Sequence, residues 1–503
     1  MSFKIYSVTP IELCHDGYEI KINGVDVPLN TARVSAVPFN RRWPGHQRSV
    51  DQTELVNFVS FETDEPVTFE IKPKKPFEKA EIRPFELGIT PEITDDGRII
   101  FTLEKPAYFT VEPYGRSNAL HIFADPVKIY NIDKDDENVI YFGKGEHDAG
   151  TIYLESNQTL FIDEGAVVYA CVRANDAENI KILGRGILDN SKNKEQILFD
   201  ANEENNFSAV NNAVREHTVM LNYCTNIEIE GITIRDSLVY NIKPSGCENI
   251  DIRNVKIIGC WRYNSDGIDM HNCKNVNIDN CFLRTFDDAI CVKGFDFFFA
   301  ENAEKATRDA IYRNGKCYDV FKNVHVSNCV IWNDWGKSLE IGAETRAEEI
   351  FDILFDSCHI IHACVNPLDC YNVDYADVHD VVYKNMSIEF DMIMARPIIQ
   401  KKDDDVYHND NPEYTPFTIC VEVAFHEEYS GGGKRRGKNS RITFENIRLY
   451  DDRRPKLRFV GHSAESEVSD ITVKDFYLGG KKLTNADVDV EQNEFCRNIN
   501  VLL

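Results

Sequence analysis

Short alternating runs of hydrophobic and polar residues occupy the first 125 residues of the chain. In "EIKINGVDV" two such runs flank Asn23–Gly24, a pair suited to a type I′ turn, so a β-hairpin is predicted there. The stretches "LVNFVSFETDEPVTFEIKP" and "DDGRIIFTLEKPAYFTVEP" each predict a further strand pair. Short strands separated by turns over roughly a hundred residues are typical of a β-sandwich. The pattern predicts an N-terminal β-sandwich domain over residues 1–125.

From residue 126 onward a different pattern recurs. Each copy has a small residue, one further residue, an Asn, alternating β-branched and polar residues, and then a second short strand. Asn226, Asn249 and Asn275 occupy the same place in three successive copies. The pattern covers residues 177–189, 224–236, 247–259, 273–285, 321–333, 350–362, 380–390, 440–450 and 468–478.

A repeat of this length, with short strands and no helical pattern between them, indicates a parallel β-helix. In such a solenoid each coil hydrogen-bonds to the next, inward Ile and Val side chains stack, and equivalent Asn residues form ladders of side-chain amides. Cys224, Cys247 and Cys273 occupy equivalent positions, so we interpret them as stacked, buried side chains. The sequence predicts an all-β protein with a parallel β-helix domain over residues 126–503.

Two long segments interrupt the repeat, at about residues 295–320 and 397–439. Insertions in a solenoid usually emerge on one face, and that face is often the binding face. The stretch "AENAEKATRDAI" in the first insertion has a helix-forming composition. We expect this helix to form one wall of a groove.

Composition narrows the classes of function. The chain of 503 residues has 83 Asp and Glu against 56 Lys and Arg, a formal net charge of −27, which repels nucleic acid and anionic membranes. No apolar run is long enough to cross a bilayer, and the first residues lack the apolar segment of an export signal, so a cytoplasmic location is expected. The 15 cysteines are scattered singly, which predicts free thiols, and no metal or cofactor is expected. A homo-oligomer is compatible with these features.

Three acidic residues fall at related places in two successive repeats. Asp266 follows an Asn-Ser turn, and the adjacent Asp287 and Asp288 come about one coil later. Because coils stack roughly 4.8 Å apart, the three carboxyl groups are expected to share one surface patch. Like charges this close resist simultaneous ionisation, and a protonated carboxyl beside ionised carboxylates is what glycosidic bond cleavage requires. A solvated turn or a Ca²⁺ ligand is the simpler interpretation for a single Asp, but the triple favours a catalytic site.

"NSDG", followed 21 residues later by "DD", resembles the polygalacturonase-like glycoside hydrolase family 28 and, more loosely, the dextranase family 49. "GRGILD" (184–189) and "NIKPSGCENIDIRNVKI" (241–257) add to this resemblance, which covers about residues 150–400.

The resemblance implies a right-handed parallel β-helix of the pectin lyase-like type and hydrolysis of glycosides with inversion. It also implies that Asp287 is the general acid and that Asp266 and Asp288 hold the nucleophilic water. For inversion we expect Asp287 to lie roughly 6.5–9.5 Å from the other two carboxyl groups, since about 5–5.5 Å indicates retention.

The chain departs from the family in its substrate pocket. The family's Gly-His-Gly and Leu-Ser-Ile-Gly segments correspond best to "WGKSLEIGAET", which places Lys337 at the family's His and Glu340 at its Ser. The family's Arg-x-Lys, which binds the galacturonate carboxylate, has no counterpart after this segment. A neutral or otherwise modified glycan is therefore expected instead of galacturonate, in agreement with the net charge.

Further substrate-binding residues are predicted from their positions. Lys293, six residues after Asp287, is expected to point into the groove and partly neutralise it. Trp335 and Tyr371 are candidate platforms for sugar stacking, with packing against the solenoid wall as an equally simple interpretation. The remaining predicted pocket residues are Asn264, Asp269, His271 and Glu344.

Three functions remain open from the sequence. The favoured one is a glycoside hydrolase that acts on short oligosaccharides, exo-acting because the N-terminal sandwich is expected to block one end of the groove. The second is a polysaccharide lyase or a glycan-rearranging transferase on the same scaffold, with Lys337 as the candidate lyase base. The third is a non-catalytic, glycan-binding or structural β-helix, which would not need the three acids.

Overall fold

The computed structural model describes residues 3–36, 53–192, 217–262, 264–295, 303–391, 415–426, 430 and 435–503. Within these ranges the regular elements are β-strands apart from one short α-helix, α1 (Ala303–Ile311), and two 3₁₀ turns, Phe85–Leu87 and Asn485–Asp487. The N-terminal strands are β1 (Phe3–Ile5), β2 (Tyr18–Ile22), β3 (Val25–Asp26), β4 (Asn30–Ser35), β5 (Thr53–Thr63), β6 (Val67–Pro73), β7 (Glu81–Arg83), β8 (Glu92–Ile93), β9 (Ile99–Leu103), β10 (Tyr108–Arg116) and β11 (Leu120–Pro126).

These strands form two sheets that share one hydrophobic core. The first has the order β1-β5-β11-β10-β7 with β4 paired to β5, and the second has the order β3-β2-β6-β9-β8. The predicted hairpin is confirmed, since Asn23 and Gly24 have φ values of 50° and 77°, both positive as a type I′ turn requires. The other two predicted strand pairs are wrong, because β5 and β6 lie in different sheets, as do β9 and β10. Phe61, Phe69 and Phe109 pack between the sheets.

After the N-terminal sheets, one large sheet of 30 strands follows, with parallel pairing between successive coils. The strands of this region are β12 (Val139–Phe142), β13 (Gly145–Tyr153), β14 (Thr159–Ile162), β15 (Ala166–Asn175), β16 (Glu178–Gly184), β17 (Ile187–Asp189), β18 (Val219–Asn222), β19 (Thr225–Glu230), β20 (Thr233–Arg235), β21 (Ile242–Ser245), β22 (Glu248–Arg253), β23 (Lys256–Ile258), β24 (Ile268–His271), β25 (Lys274–Asp279), β26 (Phe282–Thr285), β27 (Ile290–Lys293), β28 (Tyr312–Arg313), β29 (Lys316–Cys317), β30 (Val320–Ser327), β31 (Val330–Asn333), β32 (Leu339–Ala343), β33 (Glu349–Asp356), β34 (His359–Ala363), β35 (Leu368–Asn372), β36 (Asp377–Phe390), β37 (Ile419–Val423), β38 (Lys438–Leu449), β39 (Lys456–Val460), β40 (Val468–Leu478), β41 (Lys481–Lys482), β42 (Asp489–Gln492) and β43 (Cys496–Leu502).

The parallel β-helix predicted from the repeats is confirmed, but each central coil has three strands where the repeat pattern showed two. Face one contains β16, β19, β22, β25, β30 and β33; face two contains β17, β20, β23, β26, β31 and β34. Face three contains β18, β21, β24, β27, β32, β35 and β37. The strands of face three have only four or five residues and no Asn signature, so the pattern missed them.

Asn side chains link the coils along face one, as the repeats predict. Asn226 donates to Asn179, Asn249 to Asn226, Asn275 to Asn249, and Asn323 to Asn275, at 2.8–3.0 Å between Nδ2 and Oδ1. All five residues have φ between 56° and 59°, a left-handed conformation that Asn tolerates better than most residues do. The ladder therefore holds both the turn and the register of successive coils.

The solenoid interior is apolar and continuous from coil to coil. Cys224, Cys247 and Cys273 are fully buried within it, which confirms their predicted packing role. The predicted helix in the first insertion is α1, and its Ala310 and Ile311 pack near the end of β27. Most of the second insertion, residues 397–439, lies outside the described residues.

The N-terminal sheets pack lengthwise against face two. Phe58 and Phe123 share a core with Phe282, Trp332 and Ile361, which lie on successive coils of this face. The expected position of the N-terminal unit across one end of the groove does not agree with these contacts. Strand β11 ends and β12 begins on either side of the predicted domain boundary at residues 125–126. Among the described residues, no helix is long and apolar enough to cross a bilayer.

Candidate active site

The three predicted acids lie where face two turns into face three. Strand β27 begins at Ile290, directly after Asp287 and Asp288, and β24 begins at Ile268, directly after Asp266. Ile268 and Ile290 are paired in register, so Asp266 is level with Asp288, and Asp287 stands one residue earlier on the same turn. Stacked coils and one tight turn thus bring the three carboxyl groups together.

The shared patch predicted for the trio is confirmed. One carboxylate oxygen from each of Asp266, Asp287 and Asp288 lies within 4.8 Å of the other two. The separation of roughly 6.5–9.5 Å expected between whole carboxyl groups stays a prediction, because the 4.8 Å limit applies only to the nearest oxygens of the three groups. Their burial differs: Asp266 is 1% exposed, Asp287 is 6% exposed, and the Asp288 side chain is 16% exposed.

Two of the three carboxyl groups favour the protonated form. Burial raises the pKa of Asp287 well above its usual value, and the neighbouring Asp288 raises it further. Burial also raises the pKa of Asp266 well above its usual value, with added contributions from Asp269 and Asp287. Oδ2 of Asp287 and Oδ1 of Asp266 are buried and have no hydrogen-bond partner, which is costly for an ionised carboxylate.

Asp288 has the opposite preference. Burial alone would raise its pKa, but the ammonium groups of Lys293 and Lys337 and a hydrogen bond from Glu340 outweigh it, so the pKa of Asp288 is lowered. The backbone N–H of Lys337 also donates to Asp288 Oδ1 at 2.8 Å. The trio therefore combines one carboxyl group that favours the ionised form with two that favour the protonated form.

Residues of the next coil hold the catalytic turn in place. Asn333 Nδ2 donates to the carbonyl of Asp287 at 3.1 Å and to Thr285 Oγ1 at 2.8 Å, and Thr285 Oγ1 donates to the same carbonyl at 2.6 Å. Gly336 has φ of +77°, and a Cβ there would lie 2.4 Å from the backbone nitrogen of Asp288. Sequence reasoning missed Asn333 and Gly336, because their contacts join residues 46 to 49 positions apart across the first insertion.

Lys293 lies beneath the trio, at the end of β27. It is only 3% exposed, so its predicted contact with substrate does not agree with the structure. Its predicted role of partly neutralising the carboxyl groups does agree. Burial alone would lower the pKa of Lys293, but Asp269 and Glu344 raise it well above its usual value. The spacing of the trio's oxygens also suits a cation, but the Lys293 ammonium lies among these oxygens, and we assign no metal ligand here.

Lys337 lies on the coil after that of Asp288, at the corresponding position in the strand register. Its Nζ forms an ion pair with Glu340, lies 3.4 Å from Asp369 Oδ2, and is 5.1 Å from the centre of the Tyr371 ring. Burial alone would lower the pKa of Lys337, but Glu340 and Asp369 raise it well above its usual value. Lys337 is therefore a charged, paired lysine at the edge of the groove.

The other predicted pocket residues differ in exposure. Asn264, Trp335 and Tyr371 are half-buried, as expected for side chains that can meet a ligand. Glu340 and His271 lie on the side of face three that is turned away from the solenoid interior, but neighbouring side chains bury both fully. His271 Nδ1 is 3.0 Å from the carbonyl oxygen of Gly294. Glu344 is buried, with its carboxylate 3.8 Å from Lys293 Nζ, and Asp269 is fully buried at 2.8 Å from the same atom.

The family model of glycosyl hydrolases family 28 matches residues 143–424, more than half of the chain, and the chain belongs to this family. A dextranase from Arthrobacter sp. (strain CB-8) is 24% identical over 195 residues, which cover 35% of this chain and 29% of the dextranase. A probable polygalacturonase from Vitis vinifera is 26% identical over 182 residues, 31% of this chain and 37% of that protein. The chain thus spans about a third of the length of these relatives.

A solved structure supports the handedness of the fold. Dex49A from Penicillium minioluteum matches 97% of this chain and 96% of its own, with a TM-score of 0.53 and 14% identity. The predicted right-handed parallel β-helix is confirmed.

Proposed function

We propose that this protein hydrolyses O-glycosidic bonds of oligosaccharides, with Asp287 as general acid and Asp288 as general base. The observation that carries the proposal is the trio itself: carboxyl oxygens within 4.8 Å of one another, with pKa values shifted in opposite directions. Environments that separate the pKa values of neighbouring carboxyl groups are how glycosidases assign acid and base. A non-catalytic β-helix would have no use for this costly arrangement.

Exposure supports Asp287 over Asp266 as the acid. Both carry a proton, but Asp266 is the more deeply buried and lies against Asp269. Asp287 can therefore reach the glycosidic oxygen more readily, and Asp266 is left to orient the water that Asp288 activates. Inversion is part of the proposal: the water is held by two carboxyl groups, and none of the three is required as a nucleophile.

The surroundings of the trio support a neutral sugar as substrate. Four further carboxyl groups, Asp269, Glu340, Glu344 and Asp369, lie next to the two lysines, and each lysine is already paired with several of them. A uronic acid would bring another negative charge, and the two described lysines beside the trio are already paired. We therefore propose a neutral oligosaccharide as substrate, and its cleavage from the end stays a prediction for product analysis.

The lyase alternative is less well supported. A lyase base must be neutral to accept a proton, whereas the ion pairs of Lys337 with Glu340 and Asp369 hold it in the charged form.

The cellular location is also a proposal: all 15 cysteines are free, which fits a reducing compartment such as the cytoplasm.

The test is to incubate the protein with neutral oligosaccharides, including dextran fragments, and with oligogalacturonides. We expect cleavage of a neutral series, single sugars as the first products, and NMR spectra in which the initial product has the opposite anomeric configuration. Asp287→Asn should lower kcat by about 10²–10⁴-fold. The control is Asp251→Asn, on face one and away from the trio.

Several outcomes would count against parts of this proposal. Full activity of Asp287→Asn would remove the assigned acid. Products that retain the anomeric configuration would exclude inversion, internal cuts from the start would exclude exo action, and unsaturated products would favour the lyase.

A further inference from the structure

Four carboxyl groups surround the ammonium of Lys293, more than are needed to neutralise its single positive charge. Its Nζ lies 2.8 Å from Asp269 Oδ2, 3.4 Å from Asp266 Oδ2, 3.6 Å from Asp288 Oδ2 and 3.8 Å from Glu344 Oε2. Asp287 has no ion pair with it among the described contacts. One buried ammonium group thus contacts two members of the trio and leaves out the third.

The contacts follow from the register of the coils. Lys293 is the last residue of β27 and is paired with His271 on β24, two residues beyond Asp269. Its side chain must extend back along the sheet to reach Asp288, five positions earlier in the chain.

We propose that Lys293 is a positioning residue that decides which of the two adjacent acids acts as the base: it holds Asp288 ionised and in place, while Asp287 keeps the proton. The inference rests on the proposed function. An ammonium at 3.6 Å in a largely buried site stabilises the ionised form of Asp288 far more than it would at the surface. Asp287 forms no ion pair with Lys293 among the described contacts, and burial and the adjacent Asp288 outweigh the more distant effect of the ammonium on its pKa.

Other groups also face these atoms. Asp269, Glu344 and the Tyr240 ring, whose centre is 5.4 Å from Nζ, surround Lys293, and Cys291 lies on the same strand. Lys337 and Glu340 face Asp288 from the next coil, so they retain part of its ionisation when Lys293 is lost. The expected change is therefore a shift of the pH profile and not the complete loss of a base.

The test replaces Lys293 with Met, which has a similar length and no charge. In Lys293→Met the acid limb of the kcat/KM profile should move to higher pH by about one unit or more, because Asp288 takes up a proton more readily. Carboxyl ¹³C NMR of the free protein should show the same rise for Asp288. A merely structural lysine would lower activity equally at every pH and leave both midpoints unchanged, which would overturn the inference.

Lys256→Met is the matched control, since Lys256 is equally buried and is paired with Asp125 at 3.0 Å, outside the trio. It should destabilise the protein without moving the pH profile. If Lys293→Met does not fold, Lys293→Met combined with Asp269→Asn keeps the local charge balanced and should show a smaller shift in the same direction, because loss of the Asp269 charge partly offsets loss of the ammonium. The NMR arm needs no substrate, so a failure of the proposed hydrolase activity is distinguished from a failure of the Lys293 inference.

Discussion

Asp287 and Asp288 are adjacent in the chain, yet their carboxyl groups differ in protonation. The difference arises from a few neighbours: Asp288 accepts a backbone hydrogen bond from Lys337 and faces two ammonium groups, whereas Asp287 Oδ2 has no hydrogen-bond partner. The pair therefore behaves as a unit with two macroscopic pKa values, one below and one above the usual range for Asp.

The pH dependence of the wild-type protein should reflect this unit. Activity requires Asp288 ionised and Asp287 protonated. It should fall at low pH, as Asp288 gains a proton, and at high pH, as Asp287 loses one, with the alkaline midpoint well above the ordinary value for Asp because the pKa of Asp287 is raised. The measurement is kcat/KM against pH.

An aryl glycoside with a good leaving group separates the two limbs, because its departure needs no acid. On this substrate Asp287→Asn should retain much of its activity and lose the alkaline limb, whereas Asp288→Asn should remain inactive. An alkaline limb that persists in Asp287→Asn would assign it to another group, with Asp266 as the next candidate.

The position of the trio could be predicted from its spacing in the sequence, whereas the contacts of Lys293 could not. Asp266 lies about one coil before the adjacent Asp287 and Asp288, so the stacking of coils alone brings the three together. The partners of Lys293 come from two other coils, and its burial depends on how side chains fill the outer surface of face three. Nothing in the residues around position 293 distinguishes a buried, paired lysine from one that meets substrate.

The turn between β26 and β27 is the structural element on which the trio depends. It is held by hydrogen bonds from Asn333 and by close approach of the backbone at Gly336, both on the following coil. The repeat pattern predicted β26 as the second strand of the Asn-led copy at residues 273–285, but β27 lies beyond that copy and, with only four residues, carries little periodic signal of its own. The sequence therefore predicted the solenoid correctly and missed the face that carries the site.

Gly336→Ala should disrupt this turn. The new Cβ would meet the backbone nitrogen of Asp288 at 2.4 Å, so Asp287 and Asp288 must move, and a displacement of about 1 Å costs on the order of 10²-fold in kcat. Gly115→Ala is the control: Gly115 also has a positive φ, 64°, but no atom lies within 4 Å of its Cβ position. That variant should lose only about 1–2 kcal/mol of stability. Equal kcat values in the two variants would contradict the role of Gly336.

Over the whole molecule, the N-terminal unit reaches the active site through one buried arginine. Arg116 on β10 pairs with Asp334 and with Asp391, the latter at 2.9 Å. The backbone N–H of Asp334 donates to the carbonyl of Thr285 at 2.9 Å, directly beside the catalytic turn. The sequence did not predict this connection, because it joins residues more than 200 positions apart on two separately patterned units.

Arg116→Ala should therefore impair catalysis as well as stability. Removing one partner of a buried ion pair costs about 3–5 kcal/mol. Asp334, left with Arg284 and the Trp332 indole N–H as carboxylate partners, then holds the turn less firmly. Arg83→Ala is the matched control, since Arg83 makes buried pairs with Glu112 in its own unit and with Glu389 across the same interface, away from the trio. At a temperature where circular dichroism shows both variants folded, kcat should fall by roughly tenfold or more in Arg116→Ala only. Equal kcat values would mean that the N-terminal unit stabilises the solenoid without positioning its active site.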